Sequence, residues 1–120
     1  MAQRMQDKVV LVTGAGSIGE GWGNGKAAAA LYAREGARVF CADRSLAAAG
    51  QTVALIAAEG GQAHAHETDV RRPAAVRAMV EACVAHFGRV DVLHNNVGIE
   101  ESSELEDLTE ESWDRVHDVN

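Results

Sequence analysis

The residues best suited to chemistry lie in a glycine-rich segment behind an apolar, β-branched stretch. Residues 8–13 (KVVLVT) predict a buried strand, and glycines then recur from Gly14 to Gly25. In a parallel sheet, the carboxyl ends of the strands are where ligands bind. A helix beginning there directs free N–H groups and its positive dipole end at the ligand, an arrangement that suits phosphate. The segment therefore predicts a site for a phosphate-bearing ligand.

Two alignments of the phosphate-binding motif compete within this loop. Residues 14–19 (GAGSIG) match GxGxxG literally, but a helix beginning there would hold three further glycines in its first turns. Each would cost about 1 kcal/mol relative to alanine. We therefore prefer a helix that starts near Gly25, where the alanines begin. Gly14 then makes the turn out of the strand, Gly23 and Gly25 lie at the helix entry, and Ser17 belongs to a phosphate-side loop.

A carboxylate at the end of the second predicted strand refines the ligand. Asp43 closes the strand at residues 38–43, 18 positions beyond Gly25. A carboxylate there can accept hydrogen bonds from both hydroxyls of an adenosine ribose, and it repels a 2′-phosphate. NAD is therefore favoured over NADP. The neighbouring guanidinium of Arg44 could instead hold a phosphate, so NADP remains the less favoured alternative.

Strands and helices are predicted to alternate along the whole chain. The predicted strands cover residues 8–13, 38–43, 62–68 and 90–94. The predicted helices cover residues 26–34, 46–59 and 73–87, followed by one that Thr109 caps. This order predicts an α/β fold, a doubly wound parallel sheet with helices on both faces, truncated after about four strands and the following helix. We expect residues 1–120 to form one domain, with the third strand at the sheet edge.

Composition narrows the function classes. The net charge of −7 disfavours a nucleic-acid partner, and no apolar run is long enough to span a membrane. The N-terminus has no apolar stretch typical of a signal peptide, so we expect a cytoplasmic protein. Cys41 and Cys83 lie in apolar patterns and are expected to be buried free thiols. His64 and His66 lie on one face of the edge strand. We attribute their presence there to solvent exposure of the edge rather than to metal binding, and no metal is predicted.

Several motifs, taken together and in order, resemble the short-chain dehydrogenase/reductase family. They are Thr13-Gly14, Gly23-Asn24-Gly25, Asp43, Asp69-Val70, Asn95-Asn96-Val97-Gly98, and the segment from Trp113 to Asn120. The resemblance implies a Rossmann-like sheet, a nicotinamide cofactor and hydride transfer between that cofactor and a small alcohol or carbonyl substrate. It also implies a homo-oligomer when the protein is complete. The glycine motif departs from the family, with eight residues between its first two glycines where three are usual.

The resemblance assigns roles to most of the candidate residues. The glycines would line the cofactor phosphates, Asp43 would bind the ribose, and Asp69 would reach the adenine amino group beside Val70. The Asn-Asn-Val-Gly segment would support the cofactor at the strand end. With Ser17 and Arg44 added from the loop and the strand end, the predicted cofactor-binding residues are Gly14, Ser17, Gly23, Gly25, Asp43, Arg44, Asp69, Val70, Asn95, Asn96 and Gly98.

The catalytic part of the family is expected to lie beyond this chain. Asn120 resembles the catalytic asparagine that helps hold a proton-relay water. The family also needs a Ser and a Tyr-x-x-x-Lys pair, whereas the only tyrosine here, Tyr32, has Gly36 four residues later. We therefore expect an enzyme by family whose 120-residue chain is inactive alone. The alternatives are a non-catalytic NAD-binding fragment and a nucleoside-binding methyltransferase-like domain.

Overall fold

The chain alternates between parallel strands and helices, as the sequence predicts. The computed structural model describes residues 3–17, 23–97 and 109–119. The strands are β1 (Val9–Thr13), β2 (Arg38–Asp43), β3 (Gln62–Glu67) and β4 (Val92–Asn95). The helices are α1 (Asn24–Arg34), α2 (Leu46–Ala58), α3 (Pro73–Phe87) and α4 (Glu110–Val119). Helix α1 begins close to the predicted Gly25, which confirms the later of the two glycine alignments.

The strand order places the carboxyl ends of three strands side by side. The four described strands form one parallel sheet in the order β3-β2-β1-β4, so β3 lies at an edge as predicted. Thr13, the last residue of β1, pairs with Ala42 of β2 and Asn95 of β4. Segments that leave these strands therefore start from one edge of the sheet, although they are far apart in sequence.

Two apolar layers cover the two faces of the sheet. On one face, Val10 and Val12 of β1 cluster with small or branched residues of α1 and α2, among them Ala29 and Ile56. On the other face, Val9 and Leu11 cluster with Phe40, Met79 and Cys83. Every residue of β1 is buried. This burial explains why β1 is a continuous apolar run without alternation.

Both cysteines are buried free thiols, as predicted. Burial raises the pKa of Cys41 to about 12 and the pKa of Cys83 to about 11. A thiol with so high a pKa carries little thiolate near neutral pH and is a poor nucleophile. The cysteines therefore act as packing residues.

The start of β4 was predicted two residues too early. The strand begins at Val92, because the hydrogen bonds of Asp91 differ from those of a regular strand residue. Its backbone N–H donates to the Val9 carbonyl at 2.9 Å, while its carboxylate accepts the Val9 N–H at 2.8 Å. That side chain replaces a main-chain acceptor, so the regular ladder starts one residue later.

The two histidines of β3 are less exposed than predicted. The rings of His64 and His66 each lie 5.5 Å from the ring of Phe40, and both residues are half-buried. His64 also stacks on His86 of α3, with 4.0 Å between ring centroids. Desolvation and the neighbouring His86 and His66 lower the pKa of His64. Within the described ranges, none of the helices combines the length and apolarity that a membrane span requires.

Candidate functional site

A cavity of about 700 Å³ opens at the carboxyl edge of the sheet. Its wall combines the ends of β1, β2 and β4, the start of α1, the segment after β3, and two residues of α4. The volume falls in the range typical of small-molecule and cofactor sites. Across the parts of the chain that the structure describes, no three His, Cys, Asp or Glu side chains are grouped so that they could hold a metal ion.

Three glycines shape the entrance of the cavity for different reasons. Gly14 adopts a φ of +65°, a conformation that favours glycine, and it turns the chain out of β1. Gly25 has no room for a side chain, because a Cβ there would lie 1.8 Å from the Gly14 carbonyl oxygen. Gly23 is extended and precedes α1, and among the described residues the atom nearest to a Cβ there would be the Ser17 Oγ at 3.8 Å. The fold thus requires Gly14 and Gly25, whereas it leaves space at Gly23.

Asp43 is oriented by two backbone donors. Its Oδ2 accepts the N–H of Gly16 at 3.0 Å, and its Oδ1 accepts the N–H of Ser45 at 2.8 Å. Each carboxylate oxygen can accept a second hydrogen bond. Asp43 therefore presents a negatively charged, pre-oriented acceptor pair to the cavity that it lines.

The segment of the glycine loop next to Asp43 rests on α2. The Ala15 N–H donates to the Ala42 carbonyl at 3.1 Å, and the Ala15 carbonyl accepts the Thr52 hydroxyl at 2.8 Å. A Cβ on Gly16 would lie 2.4 Å from the Cβ of Ala48. Neither Gly16 nor Thr52 was predicted from the sequence to be a site residue. The available signal was the pairing of Ala48 with Thr52, which lie four residues apart and thus on one face of α2.

The predicted adenine ligand, Asp69, already has a charged partner. The Arg71 guanidinium donates to both carboxylate oxygens, with Nε to Oδ1 at 2.9 Å and Nη2 to Oδ2 at 2.8 Å. The backbone N–H of Arg71 adds a contact of 3.1 Å to Oδ1. These hydrogen bonds hold the pKa of Asp69 well below its usual range. Asp69 and Arg71 thus line the cavity as an ion pair.

The end of β4 holds the turn that leaves β1. The Asn96 side-chain amide donates to the Gly14 carbonyl at 3.3 Å, and its backbone N–H donates to the Thr13 Oγ1 at 3.1 Å. The Thr13 hydroxyl also lies 3.4 Å from the His94 carbonyl. The ring of the half-buried His94 has a hydrogen-bond partner, because its Nδ1 lies 2.7 Å from the Tyr32 hydroxyl.

Most of the predicted residues come together at this cavity. Those that line it are Gly14, Gly23, Gly25, Asp43, Arg44, Asp69, Val70 and Asn96. Ser17 and Asn95 do not line it; Ser17 accepts the Gly23 N–H at 3.1 Å, and Asn95 pairs with Thr13. Gly98 and Asn120 lie outside the described residues. Arg115 and Val119 of α4 also line the cavity; they lie within the segment from Trp113 to Asn120 that carries the family resemblance, but no site role was predicted for either.

Known proteins are similar to this chain in both sequence and fold. The profile of the short chain dehydrogenase family matches residues 8–120. Cyclohexanol dehydrogenase of Acinetobacter sp. is 40% identical over 100% of this chain and 46% of its own length. Cyclopentanol dehydrogenase of Comamonas sp. is 38% identical over 98% of this chain and 45% of its own length. The crystal structure of a short chain dehydrogenase from Mycobacterium smegmatis, 37% identical, superposes with a TM-score of 0.90 over 98% of this chain and 47% of that one.

The chain spans about half the length of the curated relatives it matches. The match leaves no basis for the methyltransferase alternative, because one dehydrogenase profile covers residues 8–120, from the start of the first predicted strand. The chain belongs to the short-chain dehydrogenase family of oxidoreductases.

Proposed function

We propose that the protein is an NAD-dependent oxidoreductase that interconverts a small alcohol and its carbonyl compound, and that residues 1–120 form its dinucleotide-binding part. The observation that carries the cofactor preference is Asp43, an oriented carboxylate on the cavity wall. The names of the cyclohexanol and cyclopentanol dehydrogenases support a small secondary alcohol as the substrate class. By family resemblance, we expect the complete protein to be a homo-oligomer.

The residues at the cavity fit a dinucleotide. Gly23 and Asn24 place the start of α1 on the cavity wall, where the positive end of the helix dipole favours the pyrophosphate. No acidic residue lies in the first turn of α1 to oppose that charge. The space beside Gly23 lets the backbone approach a bound phosphate closely.

The charge around Asp43 favours NAD over NADP. A carboxylate whose oxygens are held by the N–H groups of Gly16 and Ser45 can still accept both ribose hydroxyls. A 2′-phosphate would meet this fixed negative charge. Arg44 also lines the cavity and would partly offset that repulsion. We therefore expect NAD to bind more tightly than NADP, with a difference in affinity that Arg44 reduces.

When bound, the nicotinamide ring supplies a hydride acceptor or donor. The residues of this chain bind and orient the cofactor, and by resemblance Asn120 helps to hold a proton-relay water. Residues 1–120 contain no Tyr-x-x-x-Lys pair, because their only tyrosine, Tyr32, has Gly36 four residues later. We therefore expect this chain alone to bind cofactor without turning over substrate.

The test is a calorimetric titration of the protein with NAD⁺ and with NADP⁺. We expect tighter binding of NAD⁺, and we expect Asp43→Ala to weaken NAD⁺ binding and narrow the preference. Glu67→Ala is the matched control, because Glu67 ends β3 directly beside Asp43 in register and does not line the cavity. If Asp43→Ala kept the wild-type preference for NAD⁺ over NADP⁺, the ribose assignment would be contradicted. It would also be contradicted if Glu67→Ala lost as much affinity for NAD⁺ as Asp43→Ala.

A further inference from the structure

Thr52 of α2 contacts the glycine loop without lining the cavity. Its side chain is fully buried, and its hydroxyl donates to the Ala15 carbonyl at 2.8 Å. Ala15 is itself fully buried, so water does not replace this partner. A buried carbonyl that loses its donor is costly. The cavity lining does not include Thr52, and no cofactor role was assigned to it.

The carbonyl of Ala15 and the N–H of Gly16 belong to the same peptide group. Thr52 binds the oxygen of this group, and Asp43 accepts its N–H at 3.0 Å. Because a peptide group is planar, fixing its oxygen also fixes the direction of its N–H. A hydroxyl that donates to the carbonyl also polarises the group and strengthens the N–H as a donor. The peptide therefore links a helix residue directly to the carboxylate at the cavity.

A second contact keeps this peptide against α2. A Cβ on Gly16 would lie 2.4 Å from the Cβ of Ala48 and 2.8 Å from its carbonyl carbon, so only glycine allows the approach. Ala48 and Thr52 lie four residues apart, on one face of the helix. The Ser45 side chain caps this helix by accepting the Ala48 N–H at 3.1 Å. The helix start, the loop and Asp43 thus form one connected unit.

We propose that Thr52 is a positioning residue for cofactor selectivity. Through the Ala15–Gly16 peptide, it holds the Asp43 carboxylate in the orientation that accepts two ribose hydroxyls and faces any 2′-phosphate. Without the Thr52 hydroxyl, the oxygen of this peptide loses its donor, and the direction in which the Gly16 N–H points at Oδ2 is less restrained. This inference rests on the proposed role of Asp43 in binding the ribose.

The test compares Thr52→Val with Thr52→Ser by calorimetry. We expect the valine variant to lower the ratio of the NADP⁺ to the NAD⁺ dissociation constant about fivefold, the size of one modest hydrogen bond, and the serine variant to retain it. Ile56→Val is the matched control, because Ile56 is a buried residue one turn further along α2. It lowers stability without removing a hydrogen bond to the loop, so the ratio of the two dissociation constants is expected to stay unchanged. Thr52→Ala removes the hydroxyl without adding a methyl group and replaces the valine variant if that one does not fold.

Amide hydrogen exchange at Gly16, measured by NMR without nucleotide, separates this inference from the proposed function. We expect the Gly16 N–H to exchange faster in Thr52→Val than in Thr52→Ser or Ile56→Val. Wild-type protein that binds neither nucleotide would overturn the proposed function, while the exchange rates would still decide whether Thr52 holds the peptide. A valine variant with the wild-type affinity ratio, or with wild-type protection of Gly16, would overturn the role of Thr52.

Discussion

Gly25→Ala is expected to destabilise the protein, whereas Gly23→Ala, two residues earlier, is expected to be tolerated. A Cβ on Gly25 would lie 1.8 Å from the Gly14 carbonyl oxygen and 2.7 Å from the Asn96 Nδ2. Real Cβ atoms essentially never approach another atom closer than 3.0 Å, so the turn would have to retreat by at least 3.0 − 1.8 = 1.2 Å. That movement would break the hydrogen bond from Asn96 to Gly14.

The cost follows from these distances. Overpacking of this kind costs about 3 kcal/mol, and the better helix propensity of alanine offsets about 1 kcal/mol of it. We therefore expect the free energy of unfolding to fall by about 2 kcal/mol and the Tm to fall by about 8 °C. At Gly23 a Cβ would lie 3.8 Å from the nearest atom of the residues that the structure describes. Replacing glycine by alanine at this N-cap costs about 0.5 kcal/mol, or about 2 °C in Tm.

Circular dichroism during thermal and urea unfolding measures both variants. Equal Tm values for the two variants, or a Gly25→Ala variant as stable as wild type, would refute the packing argument. Titration with NAD⁺ adds a second comparison, because the methyl group of Gly23→Ala would occupy space on the cavity wall. We expect this variant to keep its stability while its affinity for NAD⁺ falls.

Three further outcomes follow from contacts elsewhere in the fold. Thr13→Val removes the acceptor of the Asn96 N–H and should lower the free energy of unfolding in urea by about 1.5 kcal/mol, while Thr13→Ser should stay near wild type. Ser45→Ala removes the side-chain cap of α2 and should cost about 1 kcal/mol in the same assay. Folding lowers the pKa of His64 from its ordinary value of 6.5. The contribution of His64 to the free energy of unfolding should therefore be complete above that pH and should decrease as the pH falls below it. His64→Gln should flatten this decrease below pH 6.5, and an unchanged slope would exclude His64 as its source.

Local chemistry was sufficient to locate the elements and many of the site residues. Helix α2 begins at residue 46 after the Ser45 cap, and α3 runs from Pro73 to Phe87 before Gly88, whose φ is +89°; both helices start where they were predicted. The alternation of strands and helices allows few topologies, because parallel strands need right-handed crossovers. That rule brings Gly14, Asp43 and Asn96 to one edge of the sheet. The candidate site was therefore largely predictable as a set of residues.

The roles within that set depended on contacts between distant parts of the chain. Sequence treats Gly23 and Gly25 alike, yet only Gly25 packs against the turn after β1. The paired hydrogen bonds from Arg71 to Asp69 and the stacking of His64 on His86 depend on side-chain directions. The spacing of residues in the sequence does not specify those directions.

The sequence by itself determined the order of the elements, the doubly wound sheet and the edge at which a cofactor would bind. Those features follow from periodicity, caps and turns, which act over a few residues. Only the tertiary structure decided which atoms hold the loop and the carboxylate. Thr52 lies 37 residues from Ala15, and Gly16 lies 27 residues from Asp43. Hydrogen bonds of this kind form only after packing has brought the segments together, and their geometry is set by the packed helix and sheet.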